Sequence, residues 1–281
     1  MKKRIHLVIS VLLSVILPGA GQIFNGRGRK VIWGYTLFLI IPIVFIIFNL
    51  FYSFEGLISF LILLIILFIW NIIDAFICAV RYQNAPKIKI NYKLVIIPLI
   101  LFSIDTYGIV NHLDPNSTML GVRAIQLATN SMAPTVEVGD YIIMATKYKR
   151  TEGLKRGEII VFYHRGLNEI LFKRLIGLPC DIVEGKNSNI FVNGNLIDEP
   201  YLKFIGRRKN NDFNDKHSKE EFGPLQIPDN KLFVMGDNRN NSFDSRDNEF
   251  GFIDIDDVDL NVRPLYIYWS SNKSRIGRKI E

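Results

Sequence analysis

Three stretches of this sequence carry side chains whose type and spacing could do chemistry. Thr129-Asn130-Ser131-Met132-Ala133-Pro134-Thr135 sets three hydroxyls in a turn that follows a strand-like run and precedes Val138-Gly139-Asp140; a turn of this composition is ordinary by itself. In Ile170-Leu171-Phe172-Lys173-Arg174-Leu175-Ile176, strand alternation puts Lys173 on the face of Leu171 and Leu175, and Arg174 on the opposite face. A lysine sent to an apolar face either snorkels from a strand end or is desolvated. Desolvation disfavours the ammonium, so the pKa falls from about 10.4 toward neutrality and the free amine can serve as a base. The third stretch, Gly236-Asp237-Asn238-Arg239-Asn240-Asn241-Ser242-Phe243-Asp244-Ser245-Arg246, is rich in Asn and Asp. As a calcium loop starting at Asp237 it fails on spacing, with Arg239 at the third position, Ser242 in place of glycine at the sixth and Asn248 in place of glutamate at the twelfth. A hydrogen-bonded loop holding a site fits it better.

His6, His112, His164 and His217 sit in no motif-like setting. A Ser-His-Asp triad draws its members from distant positions and stays open on sequence alone, but a Ser-Lys pair explains more of what is present. The two cysteines, Cys78 in an apolar run and Cys180 far along the chain, are expected to be free thiols, since two cannot make a disulfide framework.

The elements that must position these groups divide into two regions. From residue 111 onward, short β-rich runs (Ala124 to Ala128, Tyr141 to Ala145, Glu158 to Tyr163, Ile170 to Ile176, Asn189 to Val192, Lys231 to Met235, Leu265 to Tyr268) alternate with Gly, Asn, Asp and Pro. That texture predicts a mostly β domain of antiparallel sheets over 111–281, with a polar surface insertion near 204–221 whose Arg207, Arg208 and Lys209 read as a solvated loop. Before it, over 1–110, stand the apolar runs Ile5 to Leu17, Val31 to Phe51, Leu57 to Val80 and Leu94 to Val110. The net charge of +7 lies in this first region, with ten basic residues against three acidic ones, and the remainder is neutral. A basic protein of this kind points away from nucleic acid, because positive charge among apolar runs marks cytoplasmic loops.

The first run spans only about 20 Å as a helix before Pro18-Gly19, short of a hydrocarbon core of roughly 30 Å. Basic clusters at the N-terminus, at Arg27 to Lys30 and from Arg81 to Lys93 all belong in the cytoplasm if that run enters and returns while the three longer ones cross. The expectation is one re-entrant segment plus three α-helical transmembrane spans, an uncleaved N-terminus and a β domain outside the membrane. Asn71 and Asp74 in the third long run read as a helix contact or snorkelling groups, with no function assigned. The stretch LPGAGQIFNGRGRKVIWGY resembles the Pro-Gly and Asn-Gly signature of small bacterial membrane modules of unassigned role.

Together, in this order and behind membrane runs, the three chemical stretches resemble bacterial type I signal peptidase, or leader peptidase, over roughly residues 123 to 268. The shared features are Ser-Met-x-Pro-Thr with a following Gly-Asp, a Lys-Arg pair before Ile-Gly-Leu-Pro, the Val192-Asn193-Gly194 turn, and Gly-Asp-Asn-x-x-x-Ser-x-Asp-Ser-Arg. The resemblance implies a membrane-bound serine endopeptidase with Ser131 as nucleophile, Lys173 as general base and Ser242 orienting Lys173. It further implies Asp244 and Arg246 bracing the loop, Arg174 and Asp237 as structural support, and no metal or cofactor. The main-chain N–H of Ser131 and the Thr129 hydroxyl would stabilise the oxyanion. Substrate would lie beside Arg123 to Ala128, with shallow pockets from Leu127, Ala128, Met132, Leu171 and Phe172 accepting the Ala-x-Ala pattern of signal peptides. The implied partners are exported precursor proteins and the lipid bilayer. The implied location is the cytoplasmic (inner) membrane, multi-pass, with the peptidase domain on its extracytoplasmic, periplasmic face.

Two departures stand out: Ala128-Thr129-Asn130 where the family commonly has Pro-Ser-Gly, and Cys180 where a turn glycine is usual. The membrane region also exceeds the family's usual one or two spans. Rival readings are a self-cleaving SOS-repressor protease of Ser-Lys type, disfavoured by the spans and by the lack of a recognisable DNA-binding segment, and a non-catalytic scaffold that binds exported peptides. Against the scaffold stands the intact set Thr129, Ser131, Lys173 and Ser242.

Overall fold

A computed structural model describes residues 2–81, 121–149, 153–202 and 221–281. The chain divides into two compact units, Met1–Gly121 and Val122–Glu281. The expected span Leu94 to Val110 and nearly all of the insertion near 204–221 lie outside the described residues.

In the first unit, α1 (Lys2–Ile16) stops at Pro18-Gly19, where Gly19 has φ 89°, a conformation open to glycine. The chain turns into the short α2 (Ala20–Phe24), then α3 (Gly28–Ile47) and, after a 3₁₀ turn, α4 (Phe54–Arg81). Polar groups of α1, α2 and α4 meet in one buried seam. Asn71 Oδ1 accepts from the Gly19 N–H at 3.0 Å and from Gln22 Nε2 at 3.1 Å, Gln22 Nε2 also reaches Asp74 Oδ2 at 3.3 Å, and Asn25 Nδ2 donates to Ser10 Oγ at 2.6 Å. Asn71 is thus a helix-contact group, satisfying the Gly19 N–H and the Gln22 side chain among apolar residues, and Asp74 adds a further acceptor to Gln22. Gly21 allows the close approach, since a Cβ there would stand 2.2 Å from the Ser10 carbonyl oxygen. Among the described residues one helix, α4, is long and apolar enough to cross a membrane.

The second unit is built of antiparallel strands in three sheets. β1 (Val122–Gln126), β2 (Tyr141–Ala145) and β11 (Arg263–Trp269) form the first. The second runs in the order β10 (Ile253–Asp254), β9 (Lys231–Met235), β4 (Glu169–Gly177) and β3 (Ile159–His164). The third runs β7 (Asn195–Leu196), β6 (Asn189–Val192), β5 (Ile182–Lys186) and β8 (Phe222–Gln226). Every strand pair among the described residues is antiparallel. The mostly β, antiparallel class expected from the sequence is what the chain adopts. The strands β5, β8 and the two-residue β7 and β10 are additions, because Gly185, Gly223-Pro224 and very short runs interrupt the apolar alternation that marks a strand.

The central sheet is covered on both faces, which is why its strands read as near-continuous apolar runs. Ile159 and Val161 of β3 enter one core with Ile142, Met144 and Met132. Ile160 and Phe162 enter a second with Leu175, Leu232 and Val234. Ile176, Phe233 and Met235 enter a third with Val183, Ile190 and Ile227. Successive residues alternate between cores as the pleat requires. This sheet carries Lys173 at the centre of β4, and the loop that leaves β9 returns beside it.

Candidate active site

Ser131 lies in the loop joining β1 to β2. The loop closes at its base where the Leu127 N–H meets the Asp140 carbonyl at 3.3 Å, and it tightens at its tip where Val136 N–H donates to the Met132 carbonyl at 2.9 Å. Met132, only 2% exposed, anchors the tip in the first core and leaves its neighbour Ser131 half-buried. The Thr129 and Ser131 hydroxyl oxygens are 3.4 Å apart. Arg275 holds the far side of the loop: its guanidinium pairs with Asp140 at 2.6 Å and donates to the Pro134 and Thr135 carbonyls at 3.0 and 3.1 Å.

Lys173 is 4% exposed, and its Nζ donates to Ser242 Oγ at 3.1 Å. Its neighbour Arg174 points the other way and grips Asp237 through two bonds, Nε to Oδ1 at 3.0 Å and Nη2 to Oδ2 at 2.6 Å. The remaining nitrogen, Nη1, donates to the carbonyls of Gly157 and Glu281 at 2.6 and 2.7 Å, and Thr135 donates its hydroxyl to Asp237 Oδ2 at 2.5 Å. An ion pair this buried persists because its spare donors and acceptors are satisfied; removing one partner of such a pair costs about 3–5 kcal/mol.

The Gly236–Arg246 loop joins these parts. In the β4–β9 ladder Arg174 faces Met235, so the next residue, Gly236, emerges at the level of Lys173. Asp244 accepts from the Gly236 N–H at 2.9 Å and from Arg246 Nε and Nη2 at 2.8 Å each. Burial alone would raise the Asp244 carboxyl pKa, but the Arg246 bonds and charge, the Gly236 N–H and a hydrogen bond from Ser242 outweigh it and hold the group below the usual carboxylate range. A carboxylate only accepts, so Ser242 gives Asp244 its proton and keeps its oxygen for the lysine N–H. The loop also bonds to the Ser131 turn directly, through Asn238 N–H to the Ser131 carbonyl and Asn238 Nδ2 to the Asn130 carbonyl, both at 3.0 Å. Gly236 fills the join: a Cβ there would stand 2.2 Å from Ser242 Oγ and 2.4 Å from the Ser131 carbonyl oxygen.

The structure therefore brings Thr129 beside Ser131, Lys173 onto Ser242, and both serines against Gly236. Arg174 with Asp237, and Asp244 with Arg246, form the two buried ion pairs beneath them. Leu127 and Phe172 pack against the core that holds Met132, Leu171 packs against the second core, and Ala128 is exposed. His164 belongs to a turn, its Nδ1 accepting from the Leu167 N–H at 3.1 Å and its Nε2 lying 3.2 Å from the Phe250 carbonyl. His112 and His217 lie outside the described residues. Cys180 and Cys78 are free thiols; Cys180 adopts φ 66° at its turn, the left-handed conformation that glycine takes more readily, and its thiol donates to Asp229 Oδ1 at 3.0 Å.

Sequence reasoning missed Gly236, Asn238 and Arg275. The first two stand inside the Asn- and Asp-rich stretch, but the closeness of Gly236 to two hydroxyl-bearing turns has no sequence signal. Arg275 acts on a loop more than 130 positions earlier, and nothing in the sequence singles it out from its basic neighbours Lys273, Arg278 and Lys279.

Residues 116–267 match the family described as signal peptidase, peptidase S26, and the chain belongs to that family. Signal peptidase I S of Bacillus subtilis is 43% identical over 117 residues, covering 42% of this chain and 62% of that protein. Signal peptidase I of Bacillus caldolyticus is 39% identical over 144 residues, covering 50% of this chain and 75% of the relative. The chain thus spans about three fifths of the first relative's length, 62%. A crystal structure of a signal peptidase I from Enterococcus faecalis is 32% identical, covering 39% of this chain and 96% of that one, at a TM-score of 0.31.

Proposed function

We propose that this chain is a membrane-bound serine endopeptidase that removes N-terminal signal peptides from exported precursors after a small residue, using Ser131 and Lys173 as a dyad. The observation that carries the reading is the buried Lys173 Nζ donating to a Ser242 whose proton is committed to Asp244, beside a loop bonded to the Ser131 turn. The proposed base is Lys173 in its free-amine form. Lys173 takes the Ser131 proton as Oγ attacks the carbonyl carbon of the last signal residue, and the Ser131 N–H and Thr129 hydroxyl stabilise the oxyanion. The lysine ammonium then protonates the leaving amine, and an acyl-enzyme forms. A water molecule, deprotonated by Lys173, attacks the ester carbonyl; the ammonium returns its proton to Ser131 Oγ as the signal peptide leaves.

Substrate lies extended beside β1, with Leu127, Ala128, Met132, Leu171 and Phe172 shaping shallow pockets for the Ala-x-Ala pattern. Residues 1–110 anchor the chain as a re-entrant segment and three spans, and 111–281 form the peptidase domain on the outer face of the cytoplasmic membrane; the buried polar seam and α4 support an anchoring role for the first region. The test is cleavage of a precursor bearing an Ala-x-Ala site by the purified chain in detergent, beside a Ser131→Ala control. Product from wild type alone is expected, and equal product from both overturns the assignment.

A further inference from the structure

The segment after β7 reaches back to the Gly236–Arg246 loop although the proposed chemistry gives it no part. The Glu199 carboxylate engages both terminal nitrogens of Arg239, through Nη1 to Oε2 at 3.0 Å and the ion pair of Nη2 with Oε1, and these side chains are 8% and 17% exposed. Arg239 in turn donates from Nε to the Gly236 carbonyl at 3.2 Å, and its own carbonyl accepts from Arg246 Nη2 at 3.0 Å. Tyr201 donates its hydroxyl to Glu199 Oε1 at 2.8 Å and lays its ring 3.9 Å from the Arg174 guanidinium carbon. Burial, then the charge of Glu199, push the Tyr201 hydroxyl pKa up, so it remains a donor over the whole working range.

We propose that Glu199 and Tyr201 are positioning residues for the Ser131–Lys173 chemistry: by holding Arg239 they hold the Gly236 main chain at the spacing that keeps Ser242 against Lys173 and Gly236 against Ser131. This rests on the function proposed above. Exposed ion pairs contribute little, but this one is largely buried and ends on the carbonyl of the residue with least slack in the site. No gap separates Gly236 from either serine, so a displacement of its backbone passes to both. Misplacement of reacting groups by about 1 Å can cost on the order of 10²-fold in rate.

The test uses the full chain in detergent with an Ala-x-Ala precursor, measuring kcat, KM, the pH dependence of kcat and the melting temperature. The variants are Glu199→Gln and Tyr201→Phe, with Ser131→Ala as control. Glu199→Gln keeps the shape and removes the charge; it is expected to lower kcat about tenfold or more, leave KM within about twofold, and shift the acidic limb of the kcat profile as the lysine's hydrogen bond to Ser242 changes. Tyr201→Phe keeps the ring over Arg174 and is expected to lower kcat several-fold with the same shift in the limb. A melting temperature that drops while kcat and its acidic limb stay put overturns the positioning role. Should Glu199→Gln fail to fold, Tyr201→Phe decides by the same two readouts. Turnover by Ser131→Ala would sink the underlying chemistry and this inference with it, whereas an inactive Ser131→Ala beside unaltered Glu199→Gln and Tyr201→Phe sinks this inference alone.

Discussion

Lys173 and Ser242 lie 69 positions apart in the chain and meet at 3.1 Å with both side chains buried. Ser242 gives its own proton to Asp244 and accepts from the lysine N–H, so the pair is polarised in one sense. Lys173→Met keeps length and apolar character, so the fold should persist while kcat falls by about 10²- to 10⁴-fold or more. Ser242→Ala should cost less, because the amine survives with its orientation loosened. Steady-state kinetics alongside near-ultraviolet circular dichroism check both; near-normal kcat in Lys173→Met would require another base.

The 3.4 Å approach of the Thr129 and Ser131 hydroxyls sets up a second comparison. Loss of one oxyanion donor typically costs about 10²- to 10³-fold in kcat, so Thr129→Val should be crippled and Thr129→Ser nearly normal. A residue that merely ends a strand predicts the reverse order, because valine keeps the β-branched shape. Measuring kcat and melting temperature of both variants separates the two.

At Gly236 the expected lesion is steric. Alanine would place a methyl group inside contact distance of Ser242 Oγ and the Ser131 carbonyl, and overpacking of this kind costs about 1–3 kcal/mol. Because neither neighbour can retreat without moving a proposed reacting group, Gly236→Ala should lose activity out of proportion to its fall in melting temperature. Activity that tracks stability alone would show the join to be merely structural.

Acid should unfold the second unit through its depressed carboxylates. Burial would raise the Asp140 and Asp181 pKa values, but Arg275 and the Glu137 N–H at Asp140, and Arg156, the Leu178 N–H and Asn193 at Asp181, hold them below the usual carboxylate range; Asp244 behaves likewise. A carboxyl whose folded pKa lies below its unfolded value contributes stability that is full above the unfolded pKa and lost as pH falls through the folded one. Melting temperature should therefore hold down to about pH 5 and drop below about pH 4. Asp140→Asn, which leaves Arg275 only Glu137 as a carboxylate partner, should be less stable throughout but with a shallower acid dependence; an unchanged slope would remove Asp140 from this account.

Topology offers a test independent of chemistry. With a re-entrant first segment and three spans, a reporter fused after Lys89 should behave as cytoplasmic and one fused after Asn111 as exported. An exported signal after Lys89 would overturn the span count.

Local chemistry makes much of this protein legible in its sequence. The β texture after residue 111, the break at Pro18-Gly19 and the sending of Lys173 into an apolar face follow from alternation, turn residues and backbone restrictions, which act over a few positions. The motif stretches around Ser131, Lys173 and Ser242 can be named for the same reason. Which of them touch is decided only in three dimensions, where the pairing of β4 with β9 delivers Gly236 beside Lys173 and Asn238 ties that loop to the Ser131 turn. The grip of Arg275 on Asp140 and of Glu199 on Arg239 also belongs to the tertiary structure alone. A single arginine or glutamate has no periodicity to betray its partner, and its pairing is set by which strands are neighbours, a property of the whole sheet and not of any segment within it.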